Sequence, residues 1–166
     1  MSIDKRTSRP SVRVVILKNN KICLCKDINK EGVFTNYSFP GGGIEDNDNH
    51  IVTVKKECLE EVGIVVKDIQ FLDIIDDRKG EFYHGERAKL FNGVIDYYYL
   101  AYFDKIGKKL FNTEGDGKKF EWLAIEDAIQ KIKTGPVSKF NEKRIEVLLK
   151  VKQLILSSRK SLINNW

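Results

Sequence analysis

The chain has 166 residues, of which 42% are hydrophobic and 32% charged, and its formal net charge at pH 7 is +5. This balance is typical of a globular protein with one core, and no run of eighteen apolar residues predicts a transmembrane helix. Three cysteines are too few for a disulfide framework, and Arg13 interrupts the only apolar stretch near the start, which excludes a signal-peptide layout. We therefore expect one cytoplasmic domain over residues 1–166, with no membrane association.

The first elements predict a β-hairpin followed by a glycine-rich turn. Residues 12–17 alternate in polarity and then become apolar, and residues 21–26 return as a second strand after the turn at Asn19-Asn20-Lys21. Residues 27–36 are polar and predict a loop that leads to three consecutive glycines at positions 41–43.

A helix is predicted after the glycine-rich turn. Asn49 is a candidate N-cap, and Gly63 suits the C-terminal position at which a positive φ is favoured. Apolar residues at three- and four-residue spacing predict the face that packs on the core, namely Ile51, Val54, Cys58 and Val62.

The second half of the chain predicts three further strands and two helices. The strands are expected at residues 65–75, 94–103 and 120–123, and the helices at 124–133 and 140–157. We expect the last of these to be an amphipathic C-terminal helix covering about 140–158. A long charged insertion at 76–92 and a polar loop at 104–118 separate the strands. The order of elements predicts an α/β fold with a mixed sheet flanked by helices.

Three glutamates lie on one face of the predicted helix. Glu57 is three residues from Glu60 and four from Glu61, so the three side chains are neighbours on a helix surface. Like charges at this spacing destabilise a helix, and a bound divalent cation offsets that repulsion. Mg²⁺ and Mn²⁺ take carboxylate oxygens and commonly contact substrate phosphates. The spacing therefore points to a site for Mg²⁺ or Mn²⁺.

The segment from Gly42 to Ile64 resembles the Nudix box, in which glycine, glutamate, an Arg-Glu pair, a Glu-Glu pair and a final glycine recur at fixed spacing. Every spacing is kept, although Asp48 stands where the family has glutamate and Lys56 where it has arginine. The resemblance implies an α/β/α sandwich whose loop–helix–loop motif holds the metal. It also implies an enzyme that hydrolyses a pyrophosphate bond in a nucleoside diphosphate derivative.

The resemblance carries residue roles onto this chain. It implies metal ligands at Glu57, Glu60 and Glu61, with a backbone carbonyl from Gly42 or Gly43. It implies that Lys56 orients carboxylates such as Glu60 or Asp48. The general base is left open between the box residue Glu57 and a loop carboxylate, for which Glu114 is the first candidate and Glu121 the second.

The charged insertion is the expected region of substrate contact. Arg78 and Arg87 are candidates for binding phosphates, and Tyr83 and Phe39 for stacking on a base. We expect His50, near the helix start, to be exposed without a role in the site.

The favoured substrate is a nucleoside triphosphate or a modified nucleotide. A dinucleoside polyphosphate or a capped RNA end is the alternative, and a nucleotide-binding module that has lost turnover is an alternative of another class. The positive charge permits RNA binding, but we expect most of the C-terminal lysines to form a solvated face. The sequence leaves a monomer and a homodimer open.

Overall fold

The computed structural model describes residues 7–78, 86–108 and 118–163 of the chain, with side chains as far as residue 160. These residues form six strands and four helices in an α/β arrangement. In chain order they are β1 (Thr7–Lys18), β2 (Lys21–Ile28), β3 (Phe34–Ser38), α1 (His50–Val62), β4 (Ile64–Asp77), α2 (Glu86–Leu90), β5 (Phe91–Ile106), β6 (Lys119–Ala124), α3 (Ile125–Lys133) and α4 (Lys139–Ile163).

All six strands belong to one mixed sheet. The strand order is β3-β2-β1-β5-β4, and β6 pairs with β2. Strands β1 and β5 run parallel, whereas the other pairs are antiparallel. Strand β2 pairs with β1 only near the hairpin turn, after which β3 takes β1's place beside β2. The edge of β1 is thereby left free for the glycine-rich turn, which lies along it.

The sheet is covered by helices on both faces. Along β1, Val12, Val14 and Ile16 belong to the core on the α1 side, whereas Val15 and Leu17 belong to the core beneath α3 and α4. This alternation is the two-residue period of a strand whose two faces are both buried. The predicted α/β/α sandwich is confirmed. Among the described residues, none of the helices is both long and apolar enough to cross a membrane.

Several elements are longer than the sequence predicted. Strand β1 begins at Thr7, and β5 runs from Phe91 to Ile106, because the two pair with each other over most of their length. Strand β3 lies where a loop was expected, and α4 extends to Ile163, past the expected 140–158. Within the charged insertion, β4 continues to Asp77 and residues 86–90 form α2, so the described part is largely regular.

Candidate active site

Helix α1 begins and ends as its sequence predicted. The side chain of Asn49 caps it by accepting a hydrogen bond from the backbone N–H of Val52 at 2.9 Å. Gly63 ends it with a φ of 67°, in the left-handed region that glycine adopts without strain. The buried face contains Thr53, Val54, Cys58 and Val62. Ile51 is exposed, so its predicted place in the apolar face was wrong, and Thr53 is buried in the first turn instead.

The glycine-rich turn runs beside β1 and faces α1 on its other side. The Gly42 carbonyl accepts the backbone N–H of Val12 at 2.9 Å, and Pro40 does the same for Val14 at 2.8 Å. The Gly42 carbonyl therefore points toward β1, and the expectation that it faces a metal was wrong. The N–H of Gly41 instead donates to Oε2 of Glu61 at 2.9 Å. Pro40 and Gly42 pair with alternate residues of β1, as in extended backbone, where the N–H and C=O of one residue point the same way; we therefore infer that the Gly41 carbonyl faces the helix.

Gly42 still has a specific role, which is to make room for Glu57. A Cβ atom at position 42 would lie 2.5 Å from the carboxyl carbon and from both carboxylate oxygens of Glu57. Ordinary van der Waals contact begins near 3.4 Å. The missing side chain at position 42 therefore lets the Glu57 carboxylate rest against the turn.

All three glutamates line one cleft of about 940 Å³ between the turn, α1, the start of β1 and α2. The cleft is acidic on the α1 side and basic on the other side. Its charged lining residues are Glu57, Glu60 and Glu61 from α1, Glu45 and Asp46 from the turn, and Arg9, Arg13 and Arg87 from β1 and α2. Such a separation of charge suits a ligand that combines cations with phosphate groups.

The electrostatics of the acidic wall are unbalanced. Burial, followed by the charges of Glu61 and Glu60, raises the pKa of Glu57 to about 7. Lys118 partly compensates the negative charge of this wall, because its Nζ lies 3.2 Å from Oε1 of Glu61 and 3.5 Å from Oδ1 of Asp27. Burial alone lowers the pKa of Lys118, but the charges of Glu61 and Asp27 raise it above its usual value.

The residues of the acidic wall fit a hard divalent cation by their chemistry. They offer carboxylate oxygens and, at Gly41, a carbonyl oxygen facing the same way, which is the donor set of Mg²⁺ and Mn²⁺. The pKa of Glu57 is raised first by burial and then by its neighbouring glutamates, and a bound cation would relieve that repulsion. In the described part of the chain, however, no three His, Cys, Asp or Glu side chains are gathered closely enough to hold an ion. Glu61 is instead held by Gly41 and Lys118.

A buried ion pair underlies the basic wall. Arg13 Nε lies 3.3 Å from Oδ1 of Asp96, and the hydroxyl of Ser11 donates to the same carboxylate. Burial lowers the pKa of Arg13, but Asp96, Tyr98 and Glu61 together outweigh it, so the pKa stays above its ordinary value. The available sequence signal was a charged residue between Val12 and Val14 in a strand that is otherwise apolar. A buried charge at that position needs a partner, which the sequence does not identify.

The predicted substrate-binding residues divide between the cleft and other regions. Arg87 lines the cleft, as does Phe91. Arg78 is exposed and forms an ion pair with Asp76 at 2.7 Å, and it does not line the described cleft. Phe39 is fully buried and packs edge-to-face on Tyr98, with ring centroids 6.3 Å apart, so its predicted base stacking was wrong. The segment that precedes the glycines points Phe39 into the core beneath α3 and α4.

Two predicted residues, Tyr83 and Glu114, lie outside the described residues. The second loop candidate for the general base, Glu121, pairs with Lys131 on α3, away from the cleft.

Two further expectations need correction. Lys56 Nζ lies 3.5 Å from Oε1 of Glu45, which belongs to the turn, and this is its closest described ion pair. Its direct ion pair is thus with Glu45, which ties the turn to α1, whereas the predicted partners Glu60 and Asp48 act on Lys56 through their charges and raise its pKa. His50 is half-buried, and its Nδ1 lies 2.7 Å from the hydroxyl of Tyr99, so its expected exposure was wrong.

Comparison with known proteins places these features in a family. The model of the NUDIX domain matches residues 7–144. An 8-oxo-dGTP diphosphatase of Buchnera aphidicola subsp. Schizaphis graminum (strain Sg) is 27% identical over 113 residues, or 68% of this chain and 75% of that protein.

Solved structures share the fold at low sequence identity. A crystal structure of an ADP compounds hydrolase has a TM-score of 0.66 and 18% identity, over 93% of this chain and 76% of that one. A NUDIX hydrolase from Nitrosomonas europaea has a TM-score of 0.59 and 18% identity, over 84% of this chain and 87% of that one. Because the family model spans most of the chain and includes the cleft, the chain belongs to the Nudix hydrolase family and is a pyrophosphohydrolase.

Proposed function

We propose that this protein hydrolyses a pyrophosphate bond in a nucleoside triphosphate or a modified nucleotide, using Mg²⁺ or Mn²⁺. The observation that carries the proposal is the cleft itself. One helix supplies three glutamates to the lining of the cleft, and β1 and α2 supply three arginines to it. A nucleotide polyphosphate with its metal ions matches this pattern of charge.

Glu57, Glu60, Glu61 and the Gly41 carbonyl would hold the metal. A divalent ion bound there supplies Lewis-acid stabilisation of phosphate charge and a bound water of lowered pKa. Lys118 restrains Glu61 from behind through the 3.2 Å contact, and the N–H of Gly41 restrains its other oxygen. Both contacts limit the rotation of Glu61, which favours a fixed position for that ligand.

The arginines of the opposite wall bind and orient the substrate. Guanidinium groups engage phosphate oxygens through paired N–H donors. Arg13 is itself fixed by Asp96, so its remaining donors reach the cleft from a rigid strand. This arrangement holds the polyphosphate while water attacks one phosphorus and the bridging P–O bond breaks. Glu57 is our candidate base for taking the proton of that water within the described residues, and Glu114 is our candidate outside them.

The relatives guide the choice of first substrates. A curated relative is named as an 8-oxo-dGTP diphosphatase, which supports oxidised purine nucleoside triphosphates as the first class to test. A dinucleoside polyphosphate or a capped RNA end is the second class. These substrates contain more than one charged group along their length, and the basic wall of the cleft suits them.

Glutamine substitutions in the acidic wall test the proposal. We expect Glu60→Gln and Glu61→Gln each to lower kcat by about 10²-fold or more, because neutral amides are poorer ligands for hard cations. The amide oxygen introduced by Glu61→Gln can still accept the N–H of Gly41, so the fold should persist. Glu142→Gln on the exposed side of α4 is the matched control. Product identification with Mg²⁺ and Mn²⁺ gives the bond that is cleaved.

Two outcomes would count against the proposal. Near-wild-type turnover in both variants would remove Glu60 and Glu61 from metal binding. Tight nucleotide binding by the unmodified protein without any product would favour the module that binds nucleotide but no longer turns it over.

A further inference from the structure

A second, smaller pocket of about 280 Å³ adjoins the cleft, and we call it the arginine pocket. Four arginines line it, namely Arg9, Arg13, Arg87 and Arg144. Three of these also line the cleft, and only Arg144, from α4, belongs to the pocket alone. A Cβ atom on residue 43 would lie 2.4 Å from the guanidinium of Arg9. The missing side chain of Gly43 therefore lets Arg9 lie against the turn, between the cleft and the arginine pocket.

The charges of the arginine pocket do not balance. Asp96 is the one carboxylate among its described lining residues. Arg13 and the hydroxyl of Ser11 already engage that carboxylate. Like charges in a space this small repel each other, and partial burial reduces the screening by water. An internal network of ion pairs would need about as many carboxylates as arginines, so the described lining of the pocket is short of negative charge.

Arg144 shows the imbalance most directly. Burial lowers its pKa, although an arginine stays charged at neutral pH. Its Nη1 donates to Oδ1 of Asn141 at 2.5 Å, and no carboxylate in the described part of the chain lies within ion-pair distance of it. The Nδ2 of Asn141 donates to the Pro136 carbonyl at 2.7 Å, and Asn141 also contacts Asn36. Arg144 is therefore held in place by a neutral partner, and the charges of Asp27 and Asp96 act on it only from beyond ion-pair distance.

We propose that the arginine pocket binds a phosphate group of the substrate that is additional to the 5′-triphosphate whose pyrophosphate bond is cleaved. This inference rests on the proposed function and narrows it. It predicts that the preferred substrate is a nucleotide with an extra phosphate, either in a longer 5′-polyphosphate chain or on the ribose 3′-oxygen. Both carry the same chemistry, a tetrahedral dianion that matches paired N–H donors.

Three matched substrates test the proposal. The three compounds are a nucleoside 5′-triphosphate, the matching 5′-tetraphosphate, and the 5′-triphosphate with a 3′-phosphate. For each we would measure kcat and KM with the unmodified protein and with Arg144→Gln. Arg144→Lys keeps the charge, and Arg159→Gln makes the same change at an exposed position of α4. Thermal unfolding of every variant confirms that the comparison is made between folded proteins.

We expect Arg144→Gln to raise KM at least tenfold for the preferred extra-phosphate substrate and less than threefold for the triphosphate, with kcat little changed. That pattern is the loss of a binding contact that lies away from the reacting bond. Arg144→Lys should restore part of the loss, and Arg159→Gln should have no effect. The extra-phosphate compound whose KM responds identifies the source of the phosphate.

Equal effects of Arg144→Gln on all three substrates would overturn the proposal, because the pocket would then serve the triphosphate or the fold. No effect on any of them would also overturn it. If the unmodified protein hydrolyses none of the nucleotides, the proposed function fails separately. Calorimetric titration with inorganic phosphate in the absence of metal then tests the arginine pocket by itself. Phosphate binding that is lost in Arg144→Gln would support the proposed phosphate site. Equal binding by both proteins, or no binding by either, would reject it.

Discussion

Replacing Gly42 by alanine should separate catalysis from folding in this protein. The added Cβ would lie 2.5 Å from the Glu57 carboxylate, which is about 0.9 Å inside ordinary contact. Glu57 is a flexible side chain, so the carboxylate moves and the backbone stays. A displacement of about 1 Å in an active-site group costs roughly 10²-fold in rate. We therefore expect kcat to fall by about two orders of magnitude.

The stability of Gly42→Ala should change little. Gly42 is not among the described glycines with positive φ, so alanine is compatible with the backbone. The substitution also reduces the freedom of the unfolded chain, which contributes about 0.4–1 kcal/mol in the stabilising direction. The melting temperature should then stay within a few degrees of the unmodified protein.

Gly41→Ala is the comparison variant, in which stability should fall together with turnover. Its Cβ would lie 2.0 Å from the backbone carbonyl oxygen of Val12, which cannot rotate away. The strand or the turn would have to shift, and overpacking of this kind costs about 1–3 kcal/mol. Turnover assays with Mg²⁺ and Mn²⁺, together with thermal unfolding, distinguish the two variants. Full activity in Gly42→Ala would show that the position of Glu57 against the turn is not required.

Three smaller predictions follow from other contacts. Lys56→Arg should retain or improve activity, because a guanidinium can hold the Glu45 carboxylate through two donors; a large loss in turnover would contradict that role. Arg87→Gln should raise KM severalfold and Arg78→Gln should not, because only Arg87 lines the described cleft, and steady-state kinetics checks the difference. Asp73→Asn should lower stability by about 1 kcal/mol at pH 7. Burial raises the pKa of Asp73, but its hydrogen bonds to lysines lower it overall. The stabilisation is therefore present above the unfolded pKa of about 3.9 and is lost as pH falls below that value, which melting curves from pH 7 to 3 would show.

The features that the sequence predicted well are those fixed by neighbours in the chain. Helix α1 has its cap at Asn49 and its end at Gly63 because both signals act within four residues. The three glutamates share a wall of the cleft because helical spacing alone puts them on one face.

The features that could not be predicted from the sequence depend on contacts between distant segments of the chain. Strand β3 forms because β2 extends past the end of its pairing with β1 and offers a free edge, which no local pattern reports. Lys118 meets Glu61 only through the fold, since the two are 57 positions apart in the sequence. Arg13 and Asp96 meet because β1 and β5 are parallel neighbours. The expected roles of Gly42 and Phe39 failed because backbone and side-chain direction depends on pairing with β1 and on the core.

The arrangement of β1 explains why opposite charges meet in one cleft. Its edge is free beside the hairpin, so the glycine-rich turn lies along it and brings α1, with its glutamates, to one side. It carries Arg9 and Arg13 itself, and its pairing with β5 brings the start of that strand, and with it α2 and Arg87, to the other side. A single strand therefore positions both walls. Changes in β1 that preserve its core residues but shift its pairing with β5 would separate the walls, and would abolish turnover even with all three glutamates intact.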